Sequence, residues 1–259
     1  MLLALDIGNS NLVFGIYQHN MWQHIWRDET QNQQGAEIYA MRFTEFCMEQ
    51  NIHLADITQI VMSSVVPALT PVLRQMFMAL WGKEPLLLNT ALIQTLNLDI
   101  KQPHEIGADL VANALAGFAR AGKACIIVDF GTALTFTTVG KAGEVLGVAI
   151  APGLKTAIKS LFSHTAQLPE VPLQVPTSAI GKNTTHAIQA GILLGYEGLV
   201  AHLVACIKQE LAMPCVVYAT GGLVQQLPAL HALFDEVLPT LTLDGLRLVA
   251  ERFSMPLVS

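Results

Sequence analysis

LLALDIGNSNLVFGIY, residues 2–17, is an apolar run that ends in Asp6, breaks at Gly8-Asn9-Ser10-Asn11 and resumes as a second apolar run. Short apolar segments bounded by Gly, Asn and Ser read as two strands joined by a tight turn, with a carboxylate at the tip of the first. A lone D-x-G-N is also an ordinary hairpin turn closed by an Asx bond. Residues 124–139, ACIIVDFGTALTFTTV, restate the pattern: an apolar run into Asp129, then Phe130-Gly131-Thr132, then a second run rich in β-branched residues. Asp6 aligns with Asp129 and Gly8 with Gly131, so the chain reads as a duplicated unit.

Each copy continues as a meander, residues 11–17 then 21–27 in the first and residues 134–139 then 144–150 in the second. Apolar spacing predicts a helix over residues 36–50, a strand over 60–65 and, after Pro67, a helix to about Leu80. In the second half it predicts a short helix near 155–162, a loop punctuated by Pro169, Pro172 and Pro176, and a long helix over 184–211. A strand over 216–219, the pair Gly221-Gly222 and a closing helix over 243–253 complete the chain. These elements describe an α/β protein of two packed lobes, residues 1–116 and 117–259, with ligands expected in the crevice at the strand ends.

The composition narrows the function classes. With 259 residues, 52% apolar and only 13% charged, the chain can bury a proper core, partly against another subunit. The net charge is −6 and the fourteen Lys and Arg are scattered, which argues against nucleic acid as a partner. The opening residues carry no basic segment before Asp6, and the apolar runs read as broken too early to span a bilayer, which predicts a soluble, cytoplasmic protein with no membrane partner. Cys47, Cys125, Cys206 and Cys215 form no CxxC pair and are expected as buried, reduced thiols. His104, His164 and His186 are read as surface or capping residues.

A strand tip joining Asp to Gly, Asn and Ser gathers backbone N–H groups on a small concave surface, which suits phosphate. A carboxylate repels phosphate unless a divalent cation lies between them, so Asp6 implies a metal. No GxxxxGK[ST] is present, which excludes a P-loop of that type. Thr132 in the second copy and the turn Ala219-Thr220-Gly221-Gly222 are candidates for other parts of a nucleotide. Asp109 follows Gly107-Ala108 at the first turn of an apolar helix, where a carboxylate is either a cap or a group aimed at a substrate.

Taken together, these residues resemble the type III pantothenate kinases of the actin, sugar kinase and heat-shock ATPase superfamily. The resemblance rests on DIGNSNLVFGIY from Asp6, SSVVP from Ser63, EIGADLVANALA from Glu105, VDFGTALTF from Val128, GVAIAPGL from Gly147, TTHAIQAGILLGYEGLV from Thr184, ATGGL from Ala219 and LTLDGL from Leu241. It implies two duplicated ribonuclease H-like lobes in the actin-like ATPase fold, with the active site in the interlobe cleft, and ATP-dependent phosphorylation of pantothenate at the start of coenzyme A biosynthesis. By matching motifs, Asp6, Ile7, Gly8, Asn9, Ser10, Asn11, Leu12 and Val13 would hold the phosphates and a divalent ion, Mg2+ by expectation, with Asp6 its ligand. Thr132 would reach the nucleotide, Asp129 would sit at a monovalent cation, K+ or NH4+, and Asp109 would be the general base. Gly107, Ala108, Asp109, Leu110 and Thr184 would line the pantothenate pocket, and the family implies a homodimer.

Two positions depart from the family pattern, which has Arg where Leu110 stands and Tyr where Ile100 stands. Three explanations stay open: another basic residue such as Lys101 substitutes, the substrate is a less anionic relative of pantothenate, or the chain is a nucleotide-binding regulatory protein with weak or no kinase activity. An exopolyphosphatase or sugar kinase of the same superfamily fits the motif order less well.

Overall fold

The structure is a computed structural model that describes residues 1–96, 98–163 and 171–253; His164 and Pro169 lie outside them. The chain divides into two units, Met1–Ala116 with Thr242–Ser259, and Gly117–Leu241.

In the first unit, β1 (Leu2–Ile7), β2 (Asn11–Gln18), β3 (Met21–Glu29), β4 (Gln59–Ser64) and β5 (Leu86–Leu87) form one sheet in the order β3-β2-β1-β4-β5. β1 runs antiparallel to β2 and parallel to β4. Side chains alternate between sheet faces, and β1 is apolar on both. Leu3, Leu5 and Ile7 join Phe14, Tyr39, Phe43, Leu73 and Phe77 in a core under α1 (Ala36–Glu49) and α2 (Thr70–Trp81). Leu2 and Ala4 face the other way, into a cluster with Val111 and Ala112 of α4 (Ala108–Ala121) and Leu243, Leu246 and Val249 of α8 (Leu241–Phe253). Between them in the chain, α3 (Thr90–Ile93) is a single turn capped by Asn89.

The second unit has β6 (Cys125–Phe130), β7 (Ala133–Val139), β8 (Val145–Pro152), β9 (Val216–Thr220) and β10 (Glu236–Val237) in the order β10-β9-β6-β7-β8. With β6 matched to β1, this is the strand order of the first sheet, and β6 is antiparallel to β7 and parallel to β9. The duplication reaches single residues: β1 and β6 share one burial pattern, four buried residues, a half-buried aspartate and a buried final residue. Ile126, Val128 and Phe130 pack with Leu193, Tyr196, Val200 and Val204 of the long apolar helix. α5 (Leu154–Ser163) follows β8.

Four readings need correction. α8 belongs with the first unit, whereas residues 242–259 were expected in the second lobe; its apolar stripe completes the cluster around Leu2 and Ala4, and Thr242 Oγ1 donates to Asn113 Oδ1 at 2.8 Å. Residues 184–211 are helical throughout but not one α-helix: α6 (Thr184–Gln189) and α7 (Gly195–Leu211) flank a π-helical segment, Ala190–Leu194. At 28 residues this is the one stretch among those described that is long and apolar enough to cross a bilayer, contrary to the expectation of early breaks. Its buried stripe is used up by the core of its own unit. Finally, all four cysteines are free, but only Cys47 and Cys125 are buried; Cys206 lies on the outward side of α7. Burial lifts the thiol pKa of Cys47 to about 11 and of Cys125 to about 12, which keeps both protonated and inert at neutral pH.

The approach of α8 to α4 depends on Gly245. A Cβ there would strike the backbone of Ala112, which cannot yield without shifting a buried helix. Gly245→Val is expected to lower unfolding free energy by about 2–3 kcal/mol in urea titrations. An unchanged midpoint would show that the two helices are free to separate.

Candidate active site

Asp6 occupies the last even position of β1, in line with Leu2 and Ala4, and so lies on the face covered by α4. The parallel register sets Asp6 beside Ser63, whose hydroxyl donates to Asp6 Oδ1 at 2.6 Å. A carboxylate accepting such a bond is held in one orientation. The turn behind it is closed by Gly8 N–H donating to Asn11 O at 2.9 Å. It is tied to the end of β3 by Thr30, whose Oγ1 donates to Gly8 O at 2.6 Å and whose N–H donates to Ser10 O at 3.1 Å. Asn9, Ser10 and Asn11 are exposed on this rigid turn, while Ile7 and Leu12 are core residues and Val13 is half-buried.

Asp109 reaches the same end of the sheet through a short chain of contacts. Val65 N–H donates to Ile7 O at 3.0 Å, and a Cβ on Gly107 would lie 3.5 Å from Val65 Cγ1. The same imagined Cβ would collide with Asp109 Oδ1, so only glycine at 107 leaves the carboxylate its place. Burial raises the Asp109 pKa above the ordinary carboxylate value, and it outweighs the opposing backbone donors, among them Leu110 N–H at 2.8 Å. Two hydrogen bonds and the positive end of α4 would suit an ionised cap. Desolvation wins, giving the proton affinity useful to a base.

A cavity of about 400 Å³ adjoins this point, walled by Ser64, Thr70, Asn89, Thr90, His104, Gly107 and Ala108 among others. Gly107 and Ala108 thus stand where expected, while Asp109 is beside the wall and Leu110 is buried in α4. Ser63, Ser64, Thr70 and Asn89 were not singled out from the sequence, although Ser63 and Ser64 stand in the SSVVP motif, and His104, read as a surface or capping residue, stands in the cavity wall.

In the second unit Asp129 takes the position equivalent to Asp6, paired with Thr220 as Asp6 is with Ser63. Its turn is built at close quarters. Gly131 N–H donates to Ala133 O at 3.1 Å, and Thr132 O accepts from Gly153 N–H at 3.0 Å and Thr156 Oγ1 at 2.7 Å. Gly221 has φ +94°, and a Cβ there would lie 2.6 Å from Asp129 Oδ1. Residues after it form 3-10 turns (Val224–Gln226, Pro228–Leu233) rather than an α-helix. Thr184 is exposed at the start of α6, in a different unit from Gly107 and Asp109.

The profile of the type III pantothenate kinases matches residues 2–206. A protein of that name from Moorella thermoacetica is 39% identical over 252 residues, covering 97% of this chain and 99% of its own. The chain belongs to the type III pantothenate kinase family. Another protein of that name, from an Anaeromyxobacter species, is 40% identical over 97% of this chain and 99% of its own. The activator of 2-hydroxyisocaproyl-CoA dehydratase from Clostridium difficile, solved with ADPNP, superposes with TM-score 0.54 at 10% identity, covering 100% of this chain and 99% of its own. That likeness carries the fold only, and it agrees with the duplicated actin-like architecture that the family resemblance implies. As a type III pantothenate kinase, the chain is an enzyme of the phosphotransferase class.

Proposed function

We infer that this chain transfers the γ-phosphoryl group of ATP to the primary hydroxyl of pantothenate, the opening step of coenzyme A biosynthesis. The observation that carries the reading is Asp6 and Asp109 at one end of one sheet, in a chain 39% identical along nearly its whole length to a named pantothenate kinase. Phosphoryl transfer needs positioning and relief of charge more than covalent help from the protein. The turn from Asp6 to Val13 holds the phosphates, with exposed Asn9, Ser10 and Asn11 offering donors. The family motif assigns Thr132 to the same nucleotide. Asp109 orients the acceptor hydroxyl and takes its proton. Gly107, Ala108 and Asp109 border the acceptor cavity, and the family motif assigns Thr184 to the same substrate.

No group of three or more Asp, Glu, His or Cys among the described residues could hold a metal. A single carboxylate such as Asp6 suits Mg2+, which is held mainly by substrate phosphates and water. When bound, the ion neutralises charge on the phosphate oxygens. Asp129 has a neighbour fit for a monovalent cation: Thr135 lies opposite it in the register, with a buried hydroxyl that has no hydrogen-bond partner. Such an oxygen can ligate K+ or accept a hydrogen bond from NH4+. The homodimer is supported by the outward side of the long helix, where Gly191, Gly195, Gly198, Ala201 and Ala205 are exposed and a Cβ on any of the three glycines meets open space. The substrates place the enzyme in the cytoplasm.

A coupled assay tests the reading. ADP release is expected to require pantothenate and to be faster in K+ than in Na+, and light scattering is expected to report twice the chain mass of 28.0 kDa. ATP binding without pantothenate-dependent ADP release would instead identify a nucleotide-binding regulator.

A further inference from the structure

We propose that His104 recognises the carboxylate of the acceptor in the first unit's cavity. The inference rests on the pantothenate kinase reading and names the residue that seats the acid end of the substrate. Pantothenate has a hydroxyl end, a central amide and a carboxylate. If the hydroxyl end lies at Asp109, beside Gly107, the carboxylate must lie elsewhere along the cavity wall. An anion taken from water into such a cavity needs a charged or well-directed donor.

The lining offers few. Leu87, Leu88, Ile93, Val65 and Ile106 are apolar. Thr70 Oγ1 donates to Ser64 Oγ at 2.8 Å, and Ser64 Oγ is engaged with Val66, so these hydroxyls serve the turn before α2. Asn89 Oδ1 accepts from Leu92 N–H, which leaves its amide N–H groups as neutral donors. Two lining residues are ionisable, His104 and Glu105, and none of the described lining residues is Lys or Arg. Lys101, the substitute suggested by the sequence, is not among them.

His104 is therefore the one described wall residue able to present a positive charge, and its ring keeps an N–H to donate in either protonation state. Its Nε2 stands 3.8 Å from Glu105 Oε1, beyond hydrogen-bond reach but within ion-pair distance. The Glu105 carboxylate lies beside the same ring, so the acid shares His104 with it, which weakens the contact further. The His104 side chain is 69% exposed, so water screens the contact and its effect falls at the lower end for a charged hydrogen bond.

The test compares pantothenate with an uncharged N-alkyl pantothenamide as acceptors for the full chain, using wild type, His104→Ala and His104→Lys. His104→Ala is expected to raise KM for pantothenate by roughly three- to tenfold, leave kcat nearly unchanged and leave KM for the amide unmoved. His104→Lys is expected to restore the pantothenate KM. An unchanged pantothenate KM in an active His104→Ala enzyme overturns the inference alone, as does an equal rise for both acceptors. A wild type that releases no ADP with pantothenate overturns the functional reading, and this inference with it.

Discussion

Asp109→Asn lowers turnover with pantothenate by roughly two to four orders of magnitude and leaves ATP affinity within about twofold. Asparagine keeps the shape and can still accept from Leu110 N–H, as Asp109 Oδ1 does at 2.8 Å, but it cannot take a proton. The same variant is expected to be more stable than the wild type at neutral pH. Burial raises the Asp109 pKa above its value in the unfolded chain, so in the folded state the carboxyl holds its proton to higher pH. Stability is lost as pH rises from the unfolded pKa through the folded one, and the deficit persists above both. Replacing the carboxylate removes that deficit, so the melting temperature rises at neutral pH and the difference disappears in acid. Thermal melts at both pH values check the sign, and a variant with normal turnover would remove Asp109 from its role. The acid limb of the wild-type kcat profile is expected above the range of an unperturbed carboxylate for the same reason.

The second large effect belongs to Asp6→Asn. An amide can still accept from Ser63 Oγ, so strand register and turn geometry survive while the charge that would face a divalent ion is gone. Affinity for Mg·ATP and kcat/KM are expected to fall roughly a hundred- to a thousandfold. Calorimetric titration with Mg·ADP separates this from a folding defect. Mg·ADP affinity equal to wild type would return Asp6 to a purely structural role. Ser63→Ala, which removes only the orienting hydroxyl, is expected to cost about 1 kcal/mol of the same affinity.

The parts of the fold written twice were the legible ones. Asp6 and Asp129 stand out because two apolar strands each carry the same half-buried acid one residue from the end, and a pattern repeated in both halves of a chain is a strong signal. β5 and β10 went unread because two residues carry no period. Ser63 was visible as a letter but not as a partner, since its place beside Asp6 comes from a parallel register across 57 positions. The cavity was invisible for a similar reason: Ser64, Thr70, Asn89, His104 and Gly107 come from separate segments, and only folding assembles them. α8 was assigned to its sequence neighbours, while its apolar stripe answers to strands at the other end of the chain.

The π-helical segment Ala190–Leu194 records a change of reading frame within a helix. Downstream, the buried residues Tyr196, Val200 and Val204 recur every fourth position; across the segment, Ile188, Ala190, Leu193 and Tyr196 are spaced two, three and three. One residue beyond α-helical need is stored there, and it keeps two stretches of sequence in phase with the same side of the molecule. Removing a single residue between them would swing one stretch by about 100° relative to the other. Leucines would then turn to water and glycines to the core, a frameshift in packing rather than in codons.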